Sequence, residues 1–143
     1  MSKRYLSKNN KAYYLKCCCI RDSQGFRQKA IQAYELKSNK PIGILCFDYR
    51  DDEGFLQRIS ITDADYYNRG VGGTLLNAFE TYMKKVGVKK VYGIYLPNGT
   101  GRYITPYFYK NKGYYLENEL VCKNLDPTAE QPEEDLENFM IKY

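Results

Sequence analysis

Four early stretches of the chain concentrate apolar, β-branched and aromatic residues between clusters of turn formers. Residues 11–21 hold Tyr13, Tyr14, Leu15, three cysteines and Ile20, and read as a strand. A turn at 22–25 follows, then strands over 26–36, 42–49 and 55–61, each separated by a short turn. Consecutive strands with short turns predict an antiparallel meander. The period then changes. Val71, Leu75, Ala78, Phe79, Tyr82 and Val86 recur at helical spacing, Leu76 and Met83 widen the stripe, and Gly87 supplies a stop. A strand over 89–96 comes next, so strand, helix and strand imply a right-handed crossover and a parallel pair. Residues 97–101 read as a loop. Thr105 and Pro106 form an N-cap followed by proline at the first helical position, opening a short helix that ends near Gly113. Residues 114–116 and 119–125 read as the last strands. The predicted fold is α/β (α+β), a mixed, mostly antiparallel sheet of six to seven strands with two main helices.

The junction between the fourth strand and the long helix carries the candidate chemistry. Residues 66–76 read Tyr-Tyr-Asn-Arg-Gly-Val-Gly-Gly-Thr-Leu-Leu. A glycine turn that opens a helix leaves backbone N–H groups unpaired, and the helix dipole adds positive potential there. Such a turn suits a phosphate or pyrophosphate, and Gly70, Gly72 and Gly73 let it approach the main chain closely. A Walker A loop is excluded, because Thr74 follows Gly73 with no lysine between them. A Rossmann fingerprint is excluded too, because Leu75 stands where it needs a third glycine or alanine, and a meander precedes it. A tight loop without a ligand is the plainer alternative.

Composition narrows the field. A chain of 143 residues suits one domain, residues 1–125, with an acidic extension at 126–143. No apolar run approaches the ~20 residues needed to span a bilayer, and residues 1–10 lack a signal-type stretch, so a cytoplasmic protein without membrane association is expected. The chain has no histidine, which removes Ser-His-Asp and Cys-His mechanisms and any histidine-held metal within it. Cys17, Cys18 and Cys19 alternate between faces of a strand and cannot share one metal; they are expected as small buried apolar residues, with no metal site. The net charge of +5 conceals an acidic extension of net −5 and a body of about +10. A basic body with sixteen tyrosines could attract nucleic acid, yet no base-stacking motif accompanies it, so nucleic acid is not the expected partner.

Residues 55–125 resemble the GCN5-related N-acetyltransferase (GNAT) family. The family's pyrophosphate loop, Q/R-x-x-G-x-G/A, is matched by Tyr67-Asn68-Arg69-Gly70-Val71-Gly72 and continues into Leu75-Leu76. The strand triplet ahead of it is matched by Ile59-Ser60-Ile61. A second signature after the next strand is matched by Phe108-Tyr109-Lys110-Asn111-Lys112-Gly113-Tyr114. The resemblance implies acetyl-CoA as co-substrate and direct acetyl transfer to a primary amine on a small molecule, peptide or protein. It implies that the backbone at Ile59, Ser60 and Ile61 takes the pantetheine arm. Tyr67, Asn68, Arg69, Gly70, Val71, Gly72, Gly73 and Thr74 would surround the pyrophosphate, with Tyr109 as the general acid. The alternative is a non-catalytic CoA-binding, protein-binding or nucleic-acid-binding module on the same fold.

The chain departs from the family pattern in several places. Tyr67 occupies the Q/R position, and one extra residue separates Ile61 from the loop. Gln57 stands where a carboxylate is common, leaving Glu35, Asp48, Glu53 and the acidic extension as candidate bases. Arg102 aligns with the family's usual asparagine, and Asn98 is displaced from it. The turn at 22–25 leaves no room for the helices that usually wall the acceptor site. An open acceptor cleft is therefore expected, or one completed by residues 126–143 or by a second copy of the chain in a homodimer.

Overall fold

Short turns dictate most of the architecture. A computed structural model describes residues 3–21, 24–25, 27–94, 106–117 and 120–125. β1 (Arg4–Leu6), β2 (Ala12–Arg21), β3 (Arg27–Glu35), β4 (Pro41–Arg50) and β5 (Glu53–Ile61) form an antiparallel meander. α1 (Val71–Lys85) then crosses to β6 (Lys90–Ile94), which pairs with β5 in parallel. α2 (Pro106–Asn111), β7 (Tyr115–Glu117) and β8 (Leu120–Asn124) follow. The sheet order is β1-β2-β3-β4-β5-β6-β8-β7. This is the predicted mixed, mostly antiparallel sheet with two main helices. Its eighth strand, β1, is the one the sequence pattern does not announce. Arg21 pairs with Arg27, so β2 and β3 form a hairpin across a connection of five residues. Among the described residues no helix is long and apolar enough to cross a membrane. The expected loop at 97–101, the cap at Thr105, Asn98, Arg102 and the extension at 126–143 lie outside the described residues.

One sheet face buries the main core against α1. Tyr13, Ile31, Leu45, Phe47, Leu56, Ile59 and Ile61 meet Val71, Leu75, Leu76, Phe79 and Met83 there. β5 keeps its apolar residues on this face by means of a bulge. Cys46 pairs with Arg58 and Phe47 with Leu56, so Gln57 is the extra residue. The bulge puts Leu56 and Ile59, three apart, on the same side; a regular strand would send one of them outward.

Both helices stop in the same way. Gly87 has φ +90°, Val88 N–H bonds Met83 C=O at 2.9 Å, and Gly87 N–H bonds Lys84 C=O at 3.2 Å. Gly113 has φ +88°, with Tyr114 N–H on Tyr109 C=O at 3.0 Å and Gly113 N–H on Lys110 C=O at 3.2 Å. These are Schellman motifs, which need a left-handed residue that glycine provides without strain.

The cysteines correct one expectation. Cys46 and Cys122 are buried, but Cys17 and Cys19 are exposed and Cys18 is half-buried. Tyr13 is the one fully buried residue of β2, and burial falls off along the strand toward Arg21. All five cysteines are free thiols.

Candidate functional site

The loop from β5 to α1 is built to present main chain. Asp63 caps a 3-10 turn at Ala64–Tyr66, and its carboxylate accepts from Asp65 N–H. Lys40 bonds Asp63 at 2.6 Å and holds that carboxyl below its ordinary range. Tyr66 is fully buried, and its hydroxyl donates to Glu35 at 2.7 Å. The turn uses the extra residue between strand and loop. Tyr67 packs half-buried on the core, so its ring anchors the loop. Asn68 and Gly70 take left-handed conformations, φ +56° and +93°, and Asn68 and Arg69 are exposed. Gly70 is the N-cap of α1 and makes no side-chain cap bond, while Thr74 N–H is bonded to Gly70 C=O at 3.1 Å. The amides of Val71, Gly72 and Gly73 precede that first helical bond and have no acceptor among the described residues. Thr74 differs from them. Its hydroxyl donates to Gly70 C=O and accepts from Tyr13, so Thr74 supports the turn from beneath. The β1–β2 connection braces the outside, where Lys8 N–H bonds Arg69 C=O at 3.0 Å.

The second part of the site is an unpaired strand edge. β5 and β6 pair only from Glu53–Lys90 to Leu56–Gly93. β6 stays with β8 as far as Ile94–Leu120, while β5 runs on to Ile61 paired with β4. Described pairing between the two parallel strands ends at Leu56. Among the described residues, nothing pairs with the free edge of β5 over 57–61. Ile59 and Ile61 point into the core and Ser60 is half-buried. This open edge leads straight to the glycine turn.

Tyr109 stands on the far side of the opening. Its place is set by the Schellman motif of α2, in which the Tyr109 and Tyr114 rings meet edge-on at 5.4 Å. Tyr114 donates to Glu80 of α1 at 3.0 Å, and Lys123 of β8 bonds the same carboxylate at 2.8 Å. Tyr109 thus sits on the flank of α1 that faces β6 and β8. Burial pushes its phenol well above the ordinary value of 10.0. Its hydroxyl has no hydrogen-bond partner among the described residues.

The candidate bases are elsewhere. Glu35 accepts from Tyr66 and Ser38. Asp48 pairs with Lys29 at 3.3 Å. Glu53 lies at the closed end of the β5–β6 pair. Gln57 is exposed in the bulge and bonded to Gln28. No group of three His, Cys, Asp or Glu residues that could hold a metal occurs among the described residues. A hollow of about 280 Å³, lined by Leu15, Ile31, Ala78 and Tyr82 among others, lies at the opposite end of α1 from the glycine turn and is not part of the site.

Comparison with known proteins agrees with this geometry. The sequence profile described as Acetyltransferase (GNAT) family matches residues 5–99. No curated protein matches the chain. A cAMP-binding acyltransferase from Mycobacterium smegmatis superposes with a TM-score of 0.69 at 12% identity, over 98% of this chain and 52% of that one. The chain therefore spans about half the length of that protein. PaiA N-acetyltransferase from Thermoplasma acidophilum, solved with coenzyme A, gives a TM-score of 0.55 at 20% identity, covering 67% of this chain and 60% of that one. Tetrahymena GCN5 gives 0.53 at 19% identity, covering 71% of this chain and 72% of that one. At these identities the structures share the fold.

Proposed function

The chain belongs to the acetyltransferase (GNAT) family, and we propose that it moves an acetyl group from acetyl-CoA directly to a primary amine. One observation carries this reading: among the described residues, the unpaired edge of β5 ends at a glycine turn whose amides have no partner. An acyl-CoA has an amide-bearing arm joined to a pyrophosphate, so it needs a strand edge and an anion site in that order. The edge at Ile59, Ser60 and Ile61 would take the arm. The amides of Val71, Gly72 and Gly73, with Asn68, Arg69 and Gly70 shaping the turn, would take the pyrophosphate. Tyr67 and Thr74 would hold the turn in shape. The bound co-substrate supplies an activated thioester. Tyr109 keeps its proton through the neutral range and would give hydrogen-bond and proton support to the departing sulfur. The acceptor amine must arrive neutral, its second proton leaving to water, because Glu35 and Asp48 are engaged elsewhere and Glu80 is held by Tyr114 and Lys123.

That absence of a base, with Gln57 bonded to Gln28, favours a second reading in which the fold binds a CoA thioester without turning it over. One experiment separates the two. Acetyl-CoA at ~100 times its dissociation constant should stabilise the protein by about 2.7 kcal/mol. Gly72→Val should abolish the shift while the variant remains folded. Release of free CoA thiol with a panel of small amines and lysine peptides supports the transferase. Binding without release on any acceptor supports the second reading. No melting shift and no heat of binding would remove both.

A further inference from the structure

The hollow of about 280 Å³ on the β2 side of α1 has an apolar lining and a basic rim. Helical spacing puts Thr74, Ala78, Thr81 and Lys85 along one line of α1, and Thr74, bonded by Tyr13, marks that line as the β2 side. Ala78 and Tyr82 line the hollow from the helix, Tyr5 and Leu15 from β1 and β2. Lys3, Lys16 and Lys85 also line it, all three exposed, and no carboxylate is among the described lining residues. The neighbouring strand leaves this corner open. β1 pairs with β2 only from Arg4–Tyr14 to Leu6–Ala12, so beyond Tyr14 nothing among the described residues pairs with the outer edge of β2. An apolar hollow beside three cations suits an acidic segment that carries an apolar stripe.

We propose that residues 126–143 of the same chain dock in this hollow, apolar stripe inward and acids toward the lysines. The sequence of the extension has both halves of the match. Six acids and one lysine give it a net charge of −5. Leu136, Phe139, Met140 and Tyr143 recur at the spacing of one helix face, and Pro132 followed by Glu133, Glu134 and Asp135 is a helix-opening pattern. The chain also leaves the sheet in the right place. Leu125 N–H bonds Lys89 C=O at 2.7 Å, so the extension starts beside the end of α1 that carries Lys85. β8 lies five places from β2 in the sheet, roughly 24 Å at about 4.8 Å per place. Residues 126–135 reach about 33 Å when extended, enough to bring Leu136 to the hollow. Because the two belong to one chain, the encounter is intramolecular, and a contact of low intrinsic affinity is still occupied. Another open apolar surface, around the exposed rings of Phe55 and Tyr115, carries Glu53 and Glu117 and would repel an acidic segment. The hollow is at the opposite end of α1 from the glycine turn, so this docking does not depend on the binding of coenzyme A.

Cys17 lines the hollow and supplies the probe. The test uses the full chain with Cys18→Ser and Cys19→Ser, which leaves Cys17 as the accessible thiol because Cys46 and Cys122 are buried. The rate of maleimide labelling at Cys17 is measured. Phe139→Asp with Met140→Asp should raise it severalfold by expelling the stripe. Lys3→Glu with Lys85→Glu, both on the exposed rim, should raise it as well, and adding Glu133→Lys with Glu134→Lys to that pair should bring it back toward the starting rate. The return on charge exchange separates docking from any local effect of the rim changes on the thiol. In the same background, Met140→Cys should form a disulfide with Cys17 on mild oxidation, recovered as a monomer on a non-reducing gel. A labelling rate that neither set of changes moves, with no such disulfide, overturns the docking. Disulfide-linked dimers in place of monomers would give the hollow to the extension of a second copy and overturn docking within one chain.

Discussion

Tyr109 is where one hydroxyl decides between a catalytic and a packing role. Its backbone is held by the Schellman turn and its ring by Tyr114 and Phe108, so Tyr109→Phe leaves the packing in place. The phenol has no described protein partner whose loss would cost stability. Turnover in Tyr109→Phe should fall roughly 10²- to 10⁴-fold if proton donation is lost, with coenzyme A affinity unchanged. Tyr115→Phe, at an exposed ring on β7, is the control and should be silent. The pH profile gives a second readout. Burial raises the folded pKa of Tyr109 above 10.0, so its acid form persists beyond that pH. The wild-type rate should climb with pH as the acceptor amine deprotonates, with no falling limb from Tyr109 below pH 10.0. Full activity of Tyr109→Phe across that range would reduce the residue to a packing role. The sequence identifies Tyr109 as a candidate through the motif around it.

Strands and helices with strong periodicity are legible, and the site depends on two that are not. α1 is announced by eight apolar residues at helical spacing and a glycine stop, and it forms over Val71–Lys85. β1 has three residues, too few to show alternation, yet it carries Tyr5 into the core and leads to the Lys8–Arg69 brace on the glycine turn. The bulge at Gln57 is equally silent in sequence. A strand pattern has no mark for an extra residue, except in hindsight the adjacent polar pair Gln57 and Arg58 before Ile59. The exposure of Cys17 and Cys19 depends on packing across β2. The two ends of α1 should be separable by experiment. At the closed end, a Cβ on Gly54 would stand 2.9 Å from Met83 Sδ and 3.0 Å from Val91 Cγ1. Gly54→Ala should therefore cost about 1–3 kcal/mol in urea unfolding through overpacking. The glycine turn lies at the other end of the helix, so the folded variant should keep wild-type affinity for coenzyme A. A weakened affinity would mean that strain at Met83 travels the length of α1.

At the scale of the whole molecule, the sixteen tyrosines tie the core to pH. Tyr13 is pushed up to about 12 by burial, and Tyr5, Tyr66, Tyr109 and Tyr114 are raised above 10.0, each chiefly by burial. Glu35 beside Tyr66 and Glu80 beside Tyr114 add repulsion against a tyrosinate. In the unfolded chain these phenols ionise near 10.0. Their folded values lie higher, so their contribution to stability is fully present below about pH 10 and is lost as the pH rises through the folded values. The five buried tyrosines should release protons only together with cooperative unfolding at higher pH. Tyrosinate absorbance followed beside far-ultraviolet circular dichroism checks this, and a single reversible step near pH 10 with the fold intact would contradict it. Coenzyme A joins this titration to the site. The ligand would span the turn above Thr74, to which Tyr13 is bonded, and the opening beside Tyr109. Any ligand that binds only the folded form shifts unfolding in its own favour. Saturating coenzyme A should move this cooperative step to higher pH, and the same addition to Gly72→Val should leave it in place.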